Sequence, residues 1–572
     1  HGTVIRTSPI RPLLVEASFK CNKCNVEQTI PIIDGKFTSP TKCIRSGCRS
    51  KIFIIDKSAG GNTKTINWQK IRLQEKIDDS KRSDQGRVPR TVEAELVSDL
   101  VDSVVPGDVV NLTGIVKVVQ SNEGMGARNK QNSMYVLYID ANSINKSGSE
   151  NNNDSDDQGD STMDGLYKNS SMSNKEDVHF TQKELEFVRA IFKEPNIFKL
   201  LVHSFCPSIF GHEMVKAGLL LSLFGGRKRV PSDHHAPSGG NDESTNTLSN
   251  GGQNGGNNNT GSTGGFINQP GGISIRSDAH VLVVGDPGLG KSQMLSSAVN
   301  IAPRGVYVCG SSGVSANGLT VTLVRESGSG DFALEAGALV LSDQGCCCID
   351  EFDKITSDHC ALLEAMEQQT VSIAKAGIIC SLPARTSVIA AANPIHGHYN
   401  KAKSVAENLK MNSALLSRFD LIFILLDKPD ADLDMYLSEH VMALHSGIDQ
   451  STRNTWGNQQ SGSLSQDEAL ESSLKVRLMK RPGELIDPIP VNLLRKYVAY
   501  CRKYVHPRIS EKAADVIQTF YLNLRKKHQE IDSTPITTRQ IEAMIRLSEA
   551  RARAELREEV TERDAADIVE LM

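Results

Sequence analysis

Eight consecutive residues have the composition and order of a phosphate-binding loop. They are Gly285, Asp286, Pro287, Gly288, Leu289, Gly290, Lys291 and Ser292, and they follow the apolar segment His280–Val284. In a loop of this kind the backbone N–H groups surround phosphate oxygens, the lysine neutralises the β- and γ-phosphates, and the hydroxyl ligates Mg²⁺. The segment therefore predicts a strand, a loop and a helix opening at Ser292 that bind ATP and Mg²⁺, with Gln293 extending the nucleotide contact.

Two acidic residues end a second apolar segment. Asp350 and Glu351 follow Cys346–Ile349, so they can stand at the tip of a strand beside the loop. An aspartate in that place holds Mg²⁺ through water, and a glutamate polarises the attacking water. An ordinary acidic strand end is the alternative. The adjacent cysteines are interpreted as small apolar side chains of a buried strand rather than as metal ligands.

An asparagine and two arginines complete the candidate catalytic set. Asn393 ends an apolar segment and can reach the γ-phosphate, with a simple Asn-Pro turn as the alternative. Arg418 precedes another apolar strand and suits an arginine finger that completes a neighbouring subunit's site, with an ion pair to Asp420 as the alternative. Arg539 opens a helix that Thr537 or its neighbour caps. It is a candidate nucleotide contact, with a solvated helix residue as the alternative.

Four cysteines form two closely spaced pairs near the start of the chain. Cys21 and Cys24 form one pair, and Cys43 and Cys48 form the other. Four thiolates fill a tetrahedral Zn²⁺ site and leave no open position for catalysis. The spacing therefore predicts structural Zn²⁺, and two unconnected pairs are the alternative.

Basic residues at the tips of hairpins are candidate DNA contacts. Arg128 and Lys130 lie in a glycine-containing segment, 121–133, between two predicted strands. Lys375 begins the turn of another predicted hairpin. Such side chains can track phosphates without reading sequence, and a solvated hairpin is the alternative for 121–133.

The elements that must position these residues change along the chain. The N-terminal part alternates apolar and polar residues in period two, which predicts a small antiparallel barrel or sandwich. Residues 181–224 have helical periodicity. From residue 280 onward, short apolar strands alternate with helices, a pattern typical of a parallel α/β sheet. Residues 491–572 read as helices only.

Three polar segments divide the sequence. The second of them, 231–272, holds 11 Gly and 8 Asn, and none of the three has enough apolar surface to offset the entropy of ordering. The predicted organisation is an N-terminal domain at 1–144 with a zinc ribbon at about 18–55, a disordered linker at 145–178, an α/β core at 179–445 with a disordered insert at 231–272, a disordered insert at 446–472, and a helical lid at 473–572.

Composition excludes several protein classes. The chain has 64 Lys+Arg and 68 Asp+Glu, a formal net charge of −4, so it is no polycation. It contains no apolar run long enough for a membrane span. Its 12 cysteines in 572 residues are too sparse for a disulfide scaffold, which favours a reducing compartment. The chain begins at His1 in what reads as the middle of a strand, so we expect a fragment of a longer protein.

Five segments resemble motifs of the minichromosome maintenance family, ring-forming DNA helicases with AAA+ ATPase domains. They read GDPGLGKSQ, CCCIDEFDK, AANP, LLSRFD and TTRQIEAMIRLSEARAR. The resemblance implies a multidomain fold: an N-terminal OB-fold β-barrel with a zinc ribbon, then an AAA+ α/β P-loop ATPase with a C-terminal helical lid. It also implies an ATP-hydrolysing DNA helicase. It further implies two sets of roles. The residues that act in cis are Lys291, Ser292, Asp350, Glu351 and Asn393, while Arg418 and Arg539 act on the adjacent subunit's nucleotide. By the same resemblance Lys375 extends into the ring channel.

Within the family, Gly290 and the segment Ile10–Leu13 resemble the eighth paralogous group. That resemblance implies a nuclear protein that works on single-stranded or forked DNA in homologous recombination, in the repair of double-strand breaks or crosslinks. Its implied assembly is a hetero-hexamer with the ninth paralogue or a homo-hexamer. A replicative helicase subunit, or a ring scaffold that binds nucleotide with little turnover, are the alternatives. No membrane partner is expected.

Overall fold

The structure is a computed structural model, and it describes part of the chain. The described residues are 1–32, 39–48, 50–55, 63–75, 88–120, 135–146, 180–228, 276–310, 316–325, 332–355, 359–375, 378–395, 397–427, 429–446, 473–479, 487–527 and 536–572. The three predicted polar segments fall almost entirely outside these ranges. Arg128 and Lys130 also lie outside them.

A closed β-barrel forms most of the N-terminal domain. The strands of this domain are β1 (Gly2–Thr7), β2 (Arg11–Cys21), β3 (Glu27–Pro31), β4 (Phe53–Ile55), β5 (Lys64–Gln74), β6 (Thr91–Val97), β7 (Val109–Gln120) and β8 (Tyr135–Lys146). β1 pairs with both β5 and β7, and the circuit closes through β8 and β6, which are parallel. The predicted OB-fold is confirmed, and a barrel replaces the sandwich alternative. β8 runs two residues past the predicted limit at 144.

Period-two alternation places the barrel core. Alternate apolar residues of neighbouring strands point inward and are fully buried, among them Val4, Ile71, Ala94, Leu96 and Val110. β2 continues beyond the barrel and pairs there with β3 and β4. This extension carries the first pair of predicted zinc ligands.

A second sheet, wholly parallel, organises the central domain. Its strands are β9 (Val281–Gly285), β10 (Gly305–Cys309), β13 (Cys346–Asp350), β16 (Ser387–Ala392) and β17 (Leu421–Leu425), in the order β10-β13-β16-β9-β17. The three inner strands are buried along their whole length. Helices cover both faces of a parallel sheet, so its inner strands are buried on both sides and consist of continuous apolar runs such as VLVVG. The predicted α/β core is confirmed.

Helices and hairpins surround that sheet. The helices are α1 (Gln182–Phe192), α2 (Ile197–Phe205), α3 (Glu213–Phe224), α4 (Lys291–Ile301), α5 (Ala316–Leu319), α6 (Ala338–Leu341), α7 (His359–Gln368), α8 (Val405–Leu409), α9 (Ser413–Leu416) and α10 (Ala431–Ser446). One antiparallel hairpin joins β11 (Val321–Arg325) to β12 (Phe332–Ala336), and another joins β14 (Thr370–Lys375) to β15 (Ile378–Pro383). β12 pairs with β1, so the first hairpin extends the N-terminal sheet and ties the two domains together.

The C-terminal lid consists mainly of helices. They are α11 (Leu474–Leu478), α12 (Val491–Tyr504), α13 (Glu511–Lys527), α14 (Thr538–Ala554) and α15 (Glu562–Leu571). The prediction of helices only was incomplete, because β18 (Arg508–Ile509) and β19 (Glu559–Val560) form a short parallel pair. Two buried contacts fix the lid on the core: Arg553 donates to the carbonyls of Phe224 and Gly225, and Arg546 pairs with Asp420. Among the described residues, no helix is both long and apolar enough to cross a bilayer.

Candidate functional site

The phosphate-binding loop connects β9 to α4. Gly288 and Gly290 have φ of 89° and 77°, a region that costs glycine little and other residues more. A Cβ on Gly290 would lie 2.8 Å from Ile209 Cδ1, so the end of the Ile209 side chain would have to shift to admit one. α4 begins at Lys291, one residue before the predicted start. The backbone N–H groups of its first turn therefore face the loop, where a helix N-terminus favours an anion.

Lys291 bridges the loop. Its ammonium donates to the carbonyl oxygens of Gly285 at 2.7 Å and Asp286 at 2.6 Å. Burial lowers the pKa of Lys291, and the nearby carboxylates of Asp286 and Asp350 oppose that effect. The lysine is held at the base of the loop, where it can exchange carbonyl acceptors for phosphate oxygens.

The carboxylate of Asp286 connects the phosphate-binding loop to segments that follow two neighbouring strands. This carboxylate is buried and accepts from the backbone N–H of Tyr399 at 3.1 Å and of Asp427 at 3.4 Å. These residues lie beyond the carboxyl ends of β16 and β17. Asp286 therefore fixes the loop to the two neighbouring strand ends.

The carboxylate of Asp350 is oriented by two donors. The hydroxyl of Tyr307, on the adjacent strand β10, donates to Oδ2 at 2.8 Å, and the N–H of Glu351 donates to Oδ1 at 2.9 Å. Burial and the hydrogen bond to Asp350 raise the pKa of Tyr307, so the phenol keeps its proton and remains a donor. Asp350 sits at the tip of β13, where it can hold Mg²⁺ through water.

Glu351 occupies an unusual backbone conformation. Its φ is 50°, which for a residue with a side chain costs on the order of 1–3 kcal/mol and is typical of functional sites. Its Oε2 lies 3.0 Å from Lys354 Nζ and accepts from Cys309 Sγ at 3.7 Å. The carboxylate predicted to polarise water is thus held beside the strand ends by one cation and one thiol.

Asn393 stands between the loop and the acidic pair. It follows β16, which lies between β13 and β9 in the sheet. Its backbone N–H donates to Asp353 Oδ1 at 3.0 Å, so the turn after Glu351 fixes the position of the asparagine. The structure therefore brings the predicted cis residues to one edge of the sheet, the edge formed by the carboxyl ends of its strands.

The donor set at this edge fits ATP and Mg²⁺. The first turn of α4 and Lys291 offer N–H groups and one positive charge to phosphates, and Ser292 is exposed at the start of the helix. Asp350 offers a hard oxygen ligand of the kind that Mg²⁺ prefers. Bound Mg²⁺ would neutralise charge on the phosphates.

Arg418 and Arg539 lie at the opposite edge. Arg418 comes just before β17, and β17 pairs with β9 so that Leu421 faces Val281 and Leu425 faces Gly285. The arginine is therefore near the amino ends of the strands, and the loop follows their carboxyl ends. The strand length separates them by roughly 15 Å, so Arg418 is far from its own subunit's nucleotide loop.

Both arginines are engaged with the same carboxylate. Arg418 Nη2 and Arg539 Nη2 each lie 2.5 Å from an oxygen of Glu367. Arg418 also donates to the carbonyl of Ala414 at 2.7 Å, and Arg539 to the hydroxyl of Ser417 at 3.0 Å. The ion pair of Arg418 is therefore with Glu367 and not with Asp420, which pairs with Arg276 and Arg546. The side chain of Arg539 is partly exposed and also pairs with Glu367.

The four cysteine sulfurs of the N-terminal domain converge. All lie within 4.8 Å of one another, with Cys21 and Cys48 at 3.8 Å and Cys24 and Cys43 at 3.5 Å. Tetrahedral zinc with Zn–S bonds of about 2.3 Å places sulfurs about 3.8 Å apart, so the cluster fits Zn²⁺. Hydrogen bonds from the backbone of Lys23 and then Cys24 lower the pKa of Cys21 to about 6, which favours the thiolate ligand.

The three adjacent cysteines of β13 form no such cluster within the described ranges. Cys346, Cys347 and Cys348 are at most 1% exposed. Burial raises the pKa of Cys347 to about 12. They are apolar side chains of an inner strand, as predicted.

Of the predicted DNA contacts, only Lys375 falls in the described part of the chain. It is the exposed last residue of β14 and precedes the hairpin turn. Arg128 and Lys130 lie outside the described residues, so their assignment stays a prediction.

The structure adds a basic cavity that the sequence did not reveal. It has a volume of about 120 Å³ and lies where β1, β5 and β6 of the barrel meet the end of β11. Four cations line it against one carboxylate: Arg6, Lys70, Arg72 and Arg325, with Glu93. Arg6 Nη2 is buried and has no hydrogen-bond acceptor among the described residues. The cations are scattered over the sequence and only the barrel closure assembles them, so no local motif could have predicted the cavity.

Comparison with protein families agrees with this architecture. Residues 1–120 match the MCM OB domain, residues 184–241 and 262–445 match the MCM P-loop domain, and residues 492–572 match the MCM AAA-lid domain. The chain belongs to the minichromosome maintenance family. The predicted family and fold are confirmed.

Similar proteins carry names from one branch of this minichromosome maintenance (MCM) family. The chain is 52% identical to "DNA helicase MCM8" of Xenopus tropicalis over 576 residues and 52% identical to that of Homo sapiens over 577 residues. It is 45% identical to "Probable DNA helicase MCM8" of Arabidopsis thaliana over 591 residues. All of this chain is covered in each case, with 62%, 62% and 67% of the relative. The chain thus spans less than two thirds of the length of the first two curated relatives.

Proposed function

We propose that the chain is an ATP-driven DNA helicase subunit that works in a hexameric ring. The main support is that the candidate catalytic residues form two groups at opposite edges of one parallel sheet. Lys291, Asp350, Glu351 and Asn393 meet at its carboxyl edge, while Arg418 and Arg539 lie together at its amino edge. A site of this design is complete only when a second subunit brings its arginines to the nucleotide.

Each side chain has a distinct task in this mechanism. Lys291 and the first turn of α4 bind the phosphates, and Asp350 would hold Mg²⁺, which would neutralise charge on them. The carboxylate of Glu351 gives up its ion pair with Lys354 and polarises the attacking water, and Asn393 helps to position that water. The neighbour's Arg418 and Arg539 stabilise the charge that spreads over the transferred phosphoryl oxygens.

Glu351 argues against a ring scaffold with little turnover. Nucleotide binding alone requires the loop and Lys291, but it does not require a carboxylate held at φ 50° beside the metal-binding aspartate. Residues in such conformations cluster at active sites, and this one stands between Asp350 and Lys354 at the nucleotide edge. We therefore favour an active ATPase over the scaffold.

DNA is proposed to pass the basic surfaces of both domains. Lys375 is exposed at the end of β14, and the cavity beside Arg6 and Arg72 has an excess of positive charge. Lysine and arginine side chains are common phosphate ligands, and contacts to phosphate carry no direct sequence information. We therefore propose single-stranded or forked DNA as the substrate, bound without sequence preference.

We further propose a nuclear role in homologous recombination and in repair of double-strand breaks or crosslinks. Similarity to relatives named DNA helicase MCM8 supports this proposal over a replicative role. Affinity purification from nuclear extract tests it. Co-purification of a single related paralogue of the ninth type is expected in a hetero-hexamer, and self-association alone indicates a homo-hexamer. Recovery of the replicative subunits would contradict the repair assignment.

The cysteine cluster is proposed to hold one structural Zn²⁺ per chain. The sulfur separations fit a tetrahedral site, and all four positions are filled by thiols. Metal analysis of freshly purified protein is expected to find one zinc per chain, and a Cys43→Ser variant is expected to lose it while still binding nucleotide. Protein that contains no zinc would contradict the proposal.

Hydrolysis and unwinding by the purified oligomer test the main proposal. We expect DNA-stimulated ATP hydrolysis and strand separation, both lost in Lys291→Ala. Hydrogen bonds to a charged group contribute about 1.5–3 kcal/mol, so nucleotide affinity should fall roughly 10- to 150-fold. Lys401→Ala, an exposed lysine in the same domain, is the control. Full activity of Lys291→Ala would contradict the assignment of the loop.

A further inference from the structure

Glu367 stands between the two arginines of the amino edge. It is the second-last residue of α7, and its carboxylate is 44% exposed. One oxygen accepts from Arg418 of the core and the other from Arg539 of the lid, both at 2.5 Å. A single acidic side chain thus connects two subdomains that contribute to one proposed catalytic surface.

The backbone beneath this carboxylate is fixed by a buried cation. Arg276 donates to the carbonyl of Met366 at 3.3 Å and to the carbonyl of Arg418 at 3.2 Å. The same guanidinium pairs with Asp420 at 2.8 Å, and Asp420 in turn accepts from Arg546 of α14. The helix that carries Glu367, the turn that carries Arg418 and the helix that carries Arg539 are therefore tied to one buried cluster.

The negative charge of Glu367 reduces the repulsion between the two arginines. Two guanidinium groups that approach one phosphate must lie close together, and like charges at that separation repel each other. Burial opposes ionisation of Glu367, but the hydrogen bonds from Arg539 and Arg418 outweigh it and hold its pKa below the usual range. The carboxylate is therefore ionised and screens one arginine from the other.

We propose that Glu367 is a positioning residue that holds Arg418 and Arg539 together, aligned for the neighbouring subunit's γ-phosphate. The proposal rests on the shared site described under the proposed function. Each arginine keeps a second anchor, on Ala414 or Ser417, so its Nη2 can turn from the carboxylate to a phosphate oxygen without losing its place. Phosphate and carboxylate oxygens are interchangeable acceptors for a guanidinium.

Glu367→Gln tests the proposal, because glutamine keeps the shape and removes the charge. Hydrolysis by the oligomer should fall roughly tenfold or more, since charge-assisted hydrogen bonds are about twice as strong as neutral ones. Nucleotide affinity should stay unchanged, because the variant's own loop is intact. Glu364→Gln, one helical turn away and bonded to the N–H of Ser372, is the matched control and should hydrolyse ATP normally. Glu367→Ala, at an exposed helix position, is a second variant expected to fold and to be at least equally slow.

Mixing experiments distinguish a positioning role from a general structural defect. Glu367→Gln subunits mixed with Lys291→Ala subunits should regain hydrolysis, because intact loops then face intact arginines. Glu367→Gln subunits mixed with Arg418→Ala subunits should not regain hydrolysis, because both substitutions affect the arginine side of an interface and no interface has that side intact. If both Glu367 variants hydrolyse ATP at the wild-type rate and Arg418→Ala is inactive, the role of Glu367 is wrong and the shared site still stands. A wild-type rate for Arg418→Ala would overturn the shared site and the role of Glu367 with it.

Discussion

The two edges of the parallel sheet differ in what their functional side chains contact. At the carboxyl edge, Lys291, Asp350 and Glu351 are bonded to residues of the same few loops and strands. At the amino edge, Arg418 and Arg539 converge on a single carboxylate and are directed away from any nucleotide loop of their own chain. In the proposed mechanism, the carboxyl edge binds a nucleotide, and the amino edge offers its two arginines to the nucleotide of a neighbouring subunit.

This difference has a consequence for assembly. The strands that separate the two edges are about 15 Å long, so no side-chain rotation brings Arg418 to Lys291 of the same subunit. A head-to-tail contact between subunits would bring the two edges together, and repeated contacts of this kind form a ring when the rotation from one subunit to the next closes. The separation within one chain therefore argues for catalysis between chains.

Removing the arginine finger should give the largest effect on hydrolysis. Arg418→Ala is expected to reduce turnover by about 10³- to 10⁵-fold, the range seen for such fingers, while the variant's own ATP affinity stays at the wild-type value. Arg385→Ala is the matched control, because Arg385 likewise precedes a strand of the parallel sheet, β16, and pairs with a carboxylate, that of Asp343, at 2.9 Å. An equal loss in both variants would mean that ion pairing at the amino edge, and not a finger, supports activity.

A smaller effect is expected at the carboxyl edge from Tyr307→Phe. Removing the phenolic donor leaves one oxygen of Asp350 without its hydrogen bond. A hydrogen bond contributes about 0.5–1.5 kcal/mol, so the Mg²⁺ concentration needed for half-maximal nucleotide binding should rise roughly 2- to 13-fold. Tyr436→Phe, an exposed tyrosine of α10, should leave it unchanged. A Mg²⁺ requirement equal to that of the wild type would show that Asp350 needs no positioning from β10.

The smallest effects should come from single DNA contacts, which belong to neither edge. Lys375→Ala and Arg72→Ala are each expected to reduce the log–log salt slope of single-stranded DNA binding by roughly 0.7. Hydrolysis without DNA should not change in either variant, because both sets of catalytic residues are intact. Lys512→Ala on the lid is the control. Unchanged slopes in both variants would place the DNA path elsewhere.

The sequence predicts the carboxyl edge well because its residues stand in short motifs at strand ends. The phosphate loop, the acidic pair after β13 and Asn393 after β16 each follow an apolar run, and parallel strands bring their carboxyl ends to one edge. Arg418 was also predicted, because it precedes the last strand. The period-two alternation of β1, β7 and β8 predicted the N-terminal sheet.

The partners of these residues were not predictable. Tyr307 meets Asp350 because β10 lies beside β13, and Glu367 meets Arg539 because the lid packs on the core; both contacts depend on tertiary packing. Strand pairing between β1 and β12, which joins the two domains, has no local pattern either. Local motifs predicted the candidate catalytic residues, whereas the side chains that hold them in place come from distant segments.

Mixed oligomers of Lys291→Ala and Arg418→Ala subunits give the most direct test of catalysis between chains. Each variant alone should be inactive. In a randomly mixed homo-hexamer at equal ratio, about one quarter of interfaces pair an intact Lys291 with a neighbour's intact Arg418, so hydrolysis should recover toward that fraction of the wild-type rate. If mixed rings demonstrably form and no ratio restores hydrolysis, Arg418 does not act on the adjacent subunit's nucleotide, and the account of a shared site is wrong.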